Sequence, residues 1–370
     1  MKTIRQISCD VLVVGAGPGG SQAALAAARG GAYTVLIDAK VRIGEQPHCG
    51  EYIPAPMLSE CEFDRECLIQ AVTGMETIIL GGESLRDDEE HQKSLREIVA
   101  RGFIIDRVKF DRLLARQAAA AGALVYSGTR IFRRDGDQWL ARSGAQTIAF
   151  HPKYIIAADG AVSTVARLLG LSQHKFLRGV QMEVPLSRAI NTTKVYLHQS
   201  LVGGYGWLFP KGNVANLGLG ISCESRISPR QLLMALNERL VRGGIIRPGW
   251  LAWSGGLIGV SGMRERLVIG NVLFCGDAAG LTHPITGAGI PQAVISGKLA
   301  GACAVDALKA KYVKALAEYE SEIRGRFQGV LEHARAKRVF MEGRWQNQDF
   351  DRLCKETWIA FPGYRRRVRQ

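Results

Sequence analysis

The sequence predicts an α/β fold: a parallel βαβ domain, an antiparallel sheet inserted into it, and a helical C-terminal region. Three observations carry this reading. An apolar run at residues 11–14 (VLVV) enters Gly15-x-Gly17-x-x-Gly20, and an Ala-rich helical stretch and a second apolar run, 34–37, follow and end at Asp38. From about 171 to 268 the helical spacing gives way to alternating segments. From Val268 the parallel-sheet texture returns, and helical stretches then run towards the end of the chain.

The first observation is the pattern of a Rossmann-like unit that holds a dinucleotide. Gly15 permits the tight turn out of the strand. Gly17 has no Cβ and lets a pyrophosphate approach the backbone, and Gly20 lets helix and strand pack closely. Pro18 lies in the same loop, where the helix N-terminus offers free N–H groups and a positive dipole end to phosphates. Asp38 stands eighteen residues past Gly20, where a carboxylate accepts from ribose hydroxyls.

With 370 residues the chain has room for about two domains, and 47% hydrophobic with 22% charged residues suits a soluble globular enzyme. No apolar run reaches the roughly 18–20 residues of a membrane span, and no signal segment precedes the first strand, so a cytoplasmic protein is expected. Eight scattered cysteines without C-x-x-C spacing read as reduced thiols, and no metal site is expected. The net charge of +14 is uneven: residues 324–370 hold 12 Lys and Arg against 5 Asp and Glu. Such a basic end is a solvated face, a contact for a membrane surface, or a dock for an acidic polypeptide. No nucleic-acid module accompanies it, so no nucleic-acid partner is expected.

After Asp38, Pro47, Gly50, Pro54 and Pro56 keep residues 39–57 in a loop at the C-terminal edge of the parallel strands, where such sheets bind ligands. Cys49 at its centre is either an inert small residue or a working thiol. The acid-rich stretch 81–97 reads as an exposed hairpin or loop. Phe110, Leu113 and Leu114 follow helical spacing up to a stop at Gly122, and Arg107 before them either faces cofactor phosphates or pairs within the helix start. Residues 124–126 read as a strand, 129–150 as a small meander turning at Asp135-Gly136, and 154–158 as a buried strand ending at Asp159-Gly160. Within 171–268 one helix is expected near 229–242. Tyr205, Trp207 and Phe209 share one face of a strand, as core or as the wall of an apolar pocket. Near the end, strand, Gly276-Asp277 and a Pro/Gly loop precede a long helix, with Gly287 and Gly289 at its entry. Helices are expected at about 314–340 and 349–360. The expected domains are residues 1–75, 101–170 and 269–313 for the cofactor, 76–100 and 171–268 for the substrate, and 314–370 as the basic helical region.

Three motifs in one order, GAGPGG, DGAVSTVAR and CGDAAGLTHPITGAGI, resemble the FAD-dependent oxidoreductases of the glutathione-reductase-like superfamily, in the hydroxylase-like branch. The resemblance implies that the first motif and Asp38 hold the ADP part of FAD, and that Gly276-Asp277 fixes the ribityl chain and pyrophosphate. It also implies that the loop from Pro284 through Gly287 and Gly289 to Ile290 passes the flavin's pyrimidine edge. Asp159 belongs to the second motif, and the segment around Arg107 resembles the one from which an Arg reaches the cofactor. Closer still, Tyr205-x-Trp207-x-Phe209-Pro210 followed by Gly218-x-Gly220 is similar to the substrate-domain signature of the geranylgeranyl reductase family. Cys49-Gly50-x-x-Ile53-Pro54 resembles that family's Cys-Gly-Gly-x-Ile-Pro loop, with Glu51 in place of the second glycine. The resemblance implies a cysteine over the flavin.

The expected function is reduction of C=C bonds in a prenyl substrate by hydride transfer from reduced FAD. Tyr205, Trp207 and Phe209 would hold the apolar chain, and Cys49 would position it or supply a proton, with His48 and Tyr52 as further candidates. The expected reductant is NAD(P)H or a ferredoxin-type donor, and the expected partner is an apolar or lipid substrate, met in the cytoplasm or at a membrane surface. The alternative is a monooxygenase that hydroxylates an aromatic substrate, including a protein tryptophan in quinone-cofactor maturation.

Overall fold

The computed structural model describes residues 4–45, 49–87, 92–310, 314–346 and 349–367, arranged around two eight-stranded sheets. The chain opens with β1 (Arg5–Val14), α1 (Pro18–Arg29), β2 (Thr34–Ile37), β3 (Tyr52–Pro54), β4 (Leu68–Leu80) and β5 (Gln92–Ile105). It continues with α2 (Arg107–Ala120), β6 (Leu124–Tyr126), β7 (Thr129–Asp135), β8 (Gln138–Ser143), β9 (Gln146–Ala157) and α3 (Thr164–Leu168). Then come β10 (Phe176–Pro185), β11 (Thr192–Leu197), β12 (Tyr205–Lys211), β13 (Val214–Ser222), α4 (Pro229–Arg242) and β14 (Ala252–Gly259). The last elements are β15 (Val268–Ile269), β16 (Val272–Phe274), α5 (Ile290–Ala310), α6 (Lys314–Glu342) and α7 (Phe350–Thr357).

The first sheet runs β15-β16-β9-β1-β2-β6, with β8 on β9 and β7 on β8. Strand β1 lies parallel to both β2 and β9, and Val11, Leu12 and Val13 are fully buried. A strand covered on both faces needs side chains that are apolar throughout, which is why its sequence does not alternate. The strand expected at 154–158 starts earlier, at Gln146. Its first half lies between β8, antiparallel, and the start of β1, and polar residues at His151 and Lys153 separate its buried Ile148–Phe150 from the second apolar run.

Helices α1 and α5 cross at close range through small residues. A Cβ on Gly297 would lie 2.0 Å from the Gly19 carbonyl oxygen, and one on Gly301 would lie 2.3 Å from that of Ala23. Only glycine permits this approach, and it brings both helices against the C-terminal edge of the parallel strands.

The second sheet runs β14-β10-β13-β12-β11-β4-β5-β3, antiparallel except where β11 joins β4. The excursion into it is wider than residues 76–100, because β4 begins at Leu68, β5 ends at Ile105, and β3 lies at the far edge. Irregular register between β4 and β5 blurs the period-two pattern that would have marked these ends. One face is sealed by α4, whose Leu233 and Leu236 meet Met182, Leu217 and Leu219. On the opposite face, Trp345, Phe350 and Trp358 from the C-terminal helices cover Ile79, Val195 and Leu197. The basic C-terminal region is therefore part of this core, with Lys337 and Arg338 buried at 4% and 3% exposure. No helix among the described residues is long and apolar enough to cross a membrane.

Candidate functional site

The cofactor cradle lies where β1 enters α1. Gly15 has φ 102, and a Cβ there would meet the Ala158 oxygen at 2.4 Å. A Cβ on Gly20 would lie 1.7 Å from the Gly15 oxygen, whereas one on Gly17 would meet nothing within 4 Å. Gly17 is the N-cap of α1 and no side chain caps that end, so the first-turn N–H groups face open space beside Pro18. That opening, at a positive helix end, fits the pyrophosphate of FAD. Asp38 braces the same loop: Oδ2 accepts from Ala16 N and Oδ1 from Lys40 N, each at 2.7 Å. A carboxylate has about four lone-pair sites, so two remain for ribose hydroxyls. Asp159 accepts from Ser163 Oγ (2.6 Å) and Val165 N (3.0 Å), capping α3 directly behind Gly15.

Gly276 (φ 56) turns the chain out of β16, and its N–H is held by Ser296 Oγ at 2.9 Å. The neighbouring Asp277 accepts from Thr282 Oγ1 at 2.8 Å, and burial pushes its carboxyl upward against that bond and the Arg107 charge. A Cβ on Gly289 would sit 3.0 Å from Asp277 Oδ1. Ile290 opens α5 and packs with Ile53, Met57 and Phe110 beneath the Cys49 loop.

The loop 284–289 is fastened from three directions. The Arg338 guanidinium donates to the Pro284 oxygen, Tyr205 Oη donates to the Thr286 oxygen, and Gly287 N donates to the His283 oxygen. His283 Nδ1 accepts from Ile285 N (3.3 Å) and Thr286 N (3.2 Å), while Nε2 faces Tyr364 Oη at 3.3 Å. Two donors on Nδ1 require a neutral ring.

Burial first, then the Arg338 and His333 charges, push His283 down to about 4. The unfolded ring, with a pKa near 6.5, takes up a proton that the folded ring refuses. The stability that depends on this neutral ring is therefore present above about pH 6.5 and is lost at ~1.4 kcal/mol per pH unit on the way down to about 4. His283→Asn, which keeps an acceptor and cannot titrate, is expected to flatten the fall of Tm between pH 6.5 and 4.5. Parallel Tm curves for the two proteins would exclude this role.

Cys49 is half-buried and lies within electrostatic reach of Tyr205, which is bonded to this loop. Its Sγ accepts from Glu51 N at 3.2 Å, and the Arg107 guanidinium lies against it. Burial raises the thiol's pKa, and the nearby Arg107 charge only partly offsets that, so the sulfur is held as a thiol. Of the two readings of Arg107, the pairing within its own helix is present: Nε and Nη2 grip Asp111 at 3.0 Å each. The guanidinium thus faces Cys49 and sits within electrostatic reach of Asp277.

Strand β12 brings the three aromatics onto one face, as the alternation predicts. They do not share one environment. Tyr205 is bonded to the 284–289 loop and meets Trp358 at a tilt of 57°, with ring centroids 4.8 Å apart. Trp207 lies over Gly218, where a Cβ would be 2.4 Å from its ring, and donates to Gln181 Oε1 at 2.9 Å. Phe209 packs on Gly50, whose Cβ would be 2.7 Å from that ring, and edges Tyr52 with centroids 6.4 Å apart. The Cys49 loop and the aromatic row are therefore in direct contact. Tyr52 Oη turns away to the Ala100 and Arg101 carbonyls, and His48 lies outside the described residues.

Sequence reading missed Glu51, Lys211, Asn216, Gln181, His283, Arg338 and Tyr364. The departure from glycine at Glu51 was the one available signal. The others are set by partners far away in the chain.

The comparisons with known proteins agree with this geometry. The FAD binding domain family model matches residues 8–206. The digeranylgeranylglycerophospholipid reductase of Methanocaldococcus jannaschii is 31% identical over 96% of this chain and 92% of its own length. A geranylgeranyl bacteriochlorophyll reductase-like protein from Thermoplasma acidophilum has a solved structure with TM-score 0.80 and 28% identity, covering 96% of this chain and 92% of that one. A probable FAD-dependent monooxygenase from Pseudomonas aeruginosa has TM-score 0.67 at 20% identity, covering 94% and 98%, and shares the fold. With the cradle, the Cys49 loop and the aromatic strand in place, the chain belongs to the geranylgeranyl reductase family of flavin-dependent oxidoreductases.

Proposed function

We propose that the protein saturates C=C bonds in the prenyl chains of a glycerophospholipid, and that the aromatic row of β12 and the Cys49 thiol form its reaction chamber. The observation that carries this is the contact of Gly50 with Phe209 beside Trp207, which sets a protonated thiol against an apolar wall at the flavin-side loop. Reduced FAD, when bound, supplies the hydride, and the proposed source of its electrons is NAD(P)H or a ferredoxin-type donor.

The protein's own residues do the rest. An isolated alkene accepts hydride poorly, so alignment and proton delivery decide the rate. Trp207 and Phe209 hold the chain, and the π-face of Trp207 favours positive charge developing on the carbon that takes the hydride. Cys49 gives its proton to the other carbon: the S–H bond breaks, a C–H bond forms, and sulfur keeps the electron pair. The thiolate is met by the Arg107 guanidinium and the Glu51 N–H, and a proton from solvent restores it. Tyr205 is a positioning residue, because its hydroxyl is committed to Thr286 and burial pushes its pKa up. The lipid is met at a membrane surface, to which the exposed part of the basic C-terminus is suited.

The test is turnover of digeranylgeranylglycerophospholipid with chemically reduced holoenzyme, followed by mass spectrometry for the gain of two hydrogens per double bond. Cys49→Ala is expected to bind FAD normally and to lose about 10²-fold or more in turnover, the usual worth of a positioned acid. Unchanged turnover would remove Cys49 from the mechanism, and no hydrogenated product would remove the substrate class.

A further inference from the structure

Glu51 is the only residue other than glycine, among the described residues, whose backbone lies in the left-handed region, with φ 68. For a side chain longer than Asn or Asp this costs roughly 1–2 kcal/mol, so something nearby must hold it. It is also 4% exposed, in a loop where a charged side chain would ordinarily turn to water.

Its partners come from three separate elements. Oε1 accepts from the backbone N of Arg107 at 3.0 Å, at the first residue of α2. Oε2 accepts from Lys211 Nζ at 2.6 Å, at the end of β12, and from Asn216 Nδ2 at 2.7 Å in β13. The left-handed turn is what lets the same residue send its own N–H to Cys49 Sγ. Burial pulls the Lys211 ammonium down, but the Glu51 charge and hydrogen bond outweigh it and raise its pKa. One residue thus ties both substrate strands to the start of α2 and to the thiol. We infer that Glu51 is a positioning residue for the reaction, whose anchored carboxylate holds the turn that orients Cys49 toward the aromatic row and sets a negative charge beside its sulfur.

Cys49 is faced by Arg107 from α2, Glu51 from its own loop and Tyr205 from β12. Burial opposes the thiolate most; Arg107, partly neutralised by Asp111, and the Glu51 N–H favour it, and the Glu51 carboxylate opposes it. Glu51 is in turn faced by Lys211, with Glu183 of β10 3.8 Å from the same ammonium and Asp106 within its field. Removing the Glu51 charge therefore leaves Arg107 less opposed and makes the thiolate easier to form. This rests on the reading of Cys49 as proton donor, but it is tested without turnover.

The experiment is the pH dependence of Cys49 alkylation by iodoacetamide in the FAD-loaded protein, resolved by peptide mass spectrometry to separate Cys49 from the other thiols. Glu51→Gln is expected to lower the midpoint by roughly one pH unit, and kcat is expected to fall about tenfold with KM within about twofold. Glu51→Gly keeps the turn, relieves its strain and serves if the first variant folds poorly; its midpoint should fall likewise. Glu51→Asp, which keeps the charge, should bring the midpoint back toward wild type. A variant alkylated faster at every pH with an unmoved midpoint would mean that Glu51 only packs the loop, and would overturn the inference. If Cys49→Ala keeps full turnover, the donor reading fails while the titration still reports on Glu51.

Discussion

Gly20→Ala is expected to leave no stable, flavin-loaded protein. The added Cβ would lie 1.7 Å from the Gly15 carbonyl oxygen, 2.9 Å from its carbon and 3.0 Å from the Ala158 Cβ. None of these is the end of a flexible side chain. The helix would have to leave the strand it packs on, which costs more than the ~1–3 kcal/mol of ordinary overpacking. Gly17→Ala is the contrasting case, three residues away at the N-cap of the same helix. Its Cβ meets no protein atom within 4 Å, and its backbone is extended, with φ −75. Its apo-protein Tm should stay within a few degrees of wild type, while FAD affinity falls at least about tenfold, since the methyl group stands where the pyrophosphate must approach. Differential scanning fluorimetry with and without added FAD separates the two effects. A Gly17→Ala protein that binds FAD like wild type would mean that the cradle lies elsewhere.

These two glycines also mark what a sequence can disclose. The opening βαβ unit is legible because its determinants are local: an apolar strand, three glycines at fixed spacing, a helix and a terminal acid all lie within 28 residues. The aromatic face of β12 is legible for the same reason, since alternation along one strand fixes the side. Asp38 was read as a ribose acceptor and Arg107 as a phosphate ligand or helix pair. The structure adds that Asp38 first braces its own loop, and that Arg107 is gripped by Asp111 and turned to Cys49. Neither fact has a local signal. Nor does the burial of Glu51, which depends on Lys211 and Asn216 arriving from strands more than 150 residues away. The start of β4 and the end of β5 were hidden for a different reason: register shifts at Leu68/Gln70 and Val72/Gly74 break the alternation by which a strand is recognised.

The C-terminal region shows the same limit most clearly, and the second large effect is expected there. Its charge excess invites a purely superficial reading, yet Arg338 is 3% exposed and points inward. The guanidinium donates to the Pro284 oxygen through Nε, and through Nη1 to the Gly203 oxygen at 3.0 Å and Glu342 Oε1 at 2.8 Å. Burial alone pulls its pKa down, and the Glu342 pair opposes that pull, so the charge is retained where two loops need donors. One loop precedes β12 and its aromatic row, and the other, 284–289, leads into α5.

Arg338→Met keeps much of the volume and removes every donor. Two buried carbonyls then lose a charge-assisted bond each, at about 1–3 kcal/mol apiece, which sums to roughly 2–6 kcal/mol. Glu342 can turn to water and adds little, since its side chain is 36% exposed. A fall in Tm of about 3–8 °C is therefore expected for a chain of this size. Because Pro284 belongs to the flavin-side loop, retained FAD and its visible absorption spectrum should change in the same variant. Arg338→Lys keeps the charge but cannot span Pro284, Gly203 and Glu342 together, so it should recover only part of the Tm. Full recovery by lysine would mean that charge rather than the three-way geometry holds the loops. A normal flavin spectrum in Arg338→Met would mean that the C-terminal helices brace the fold without touching the site.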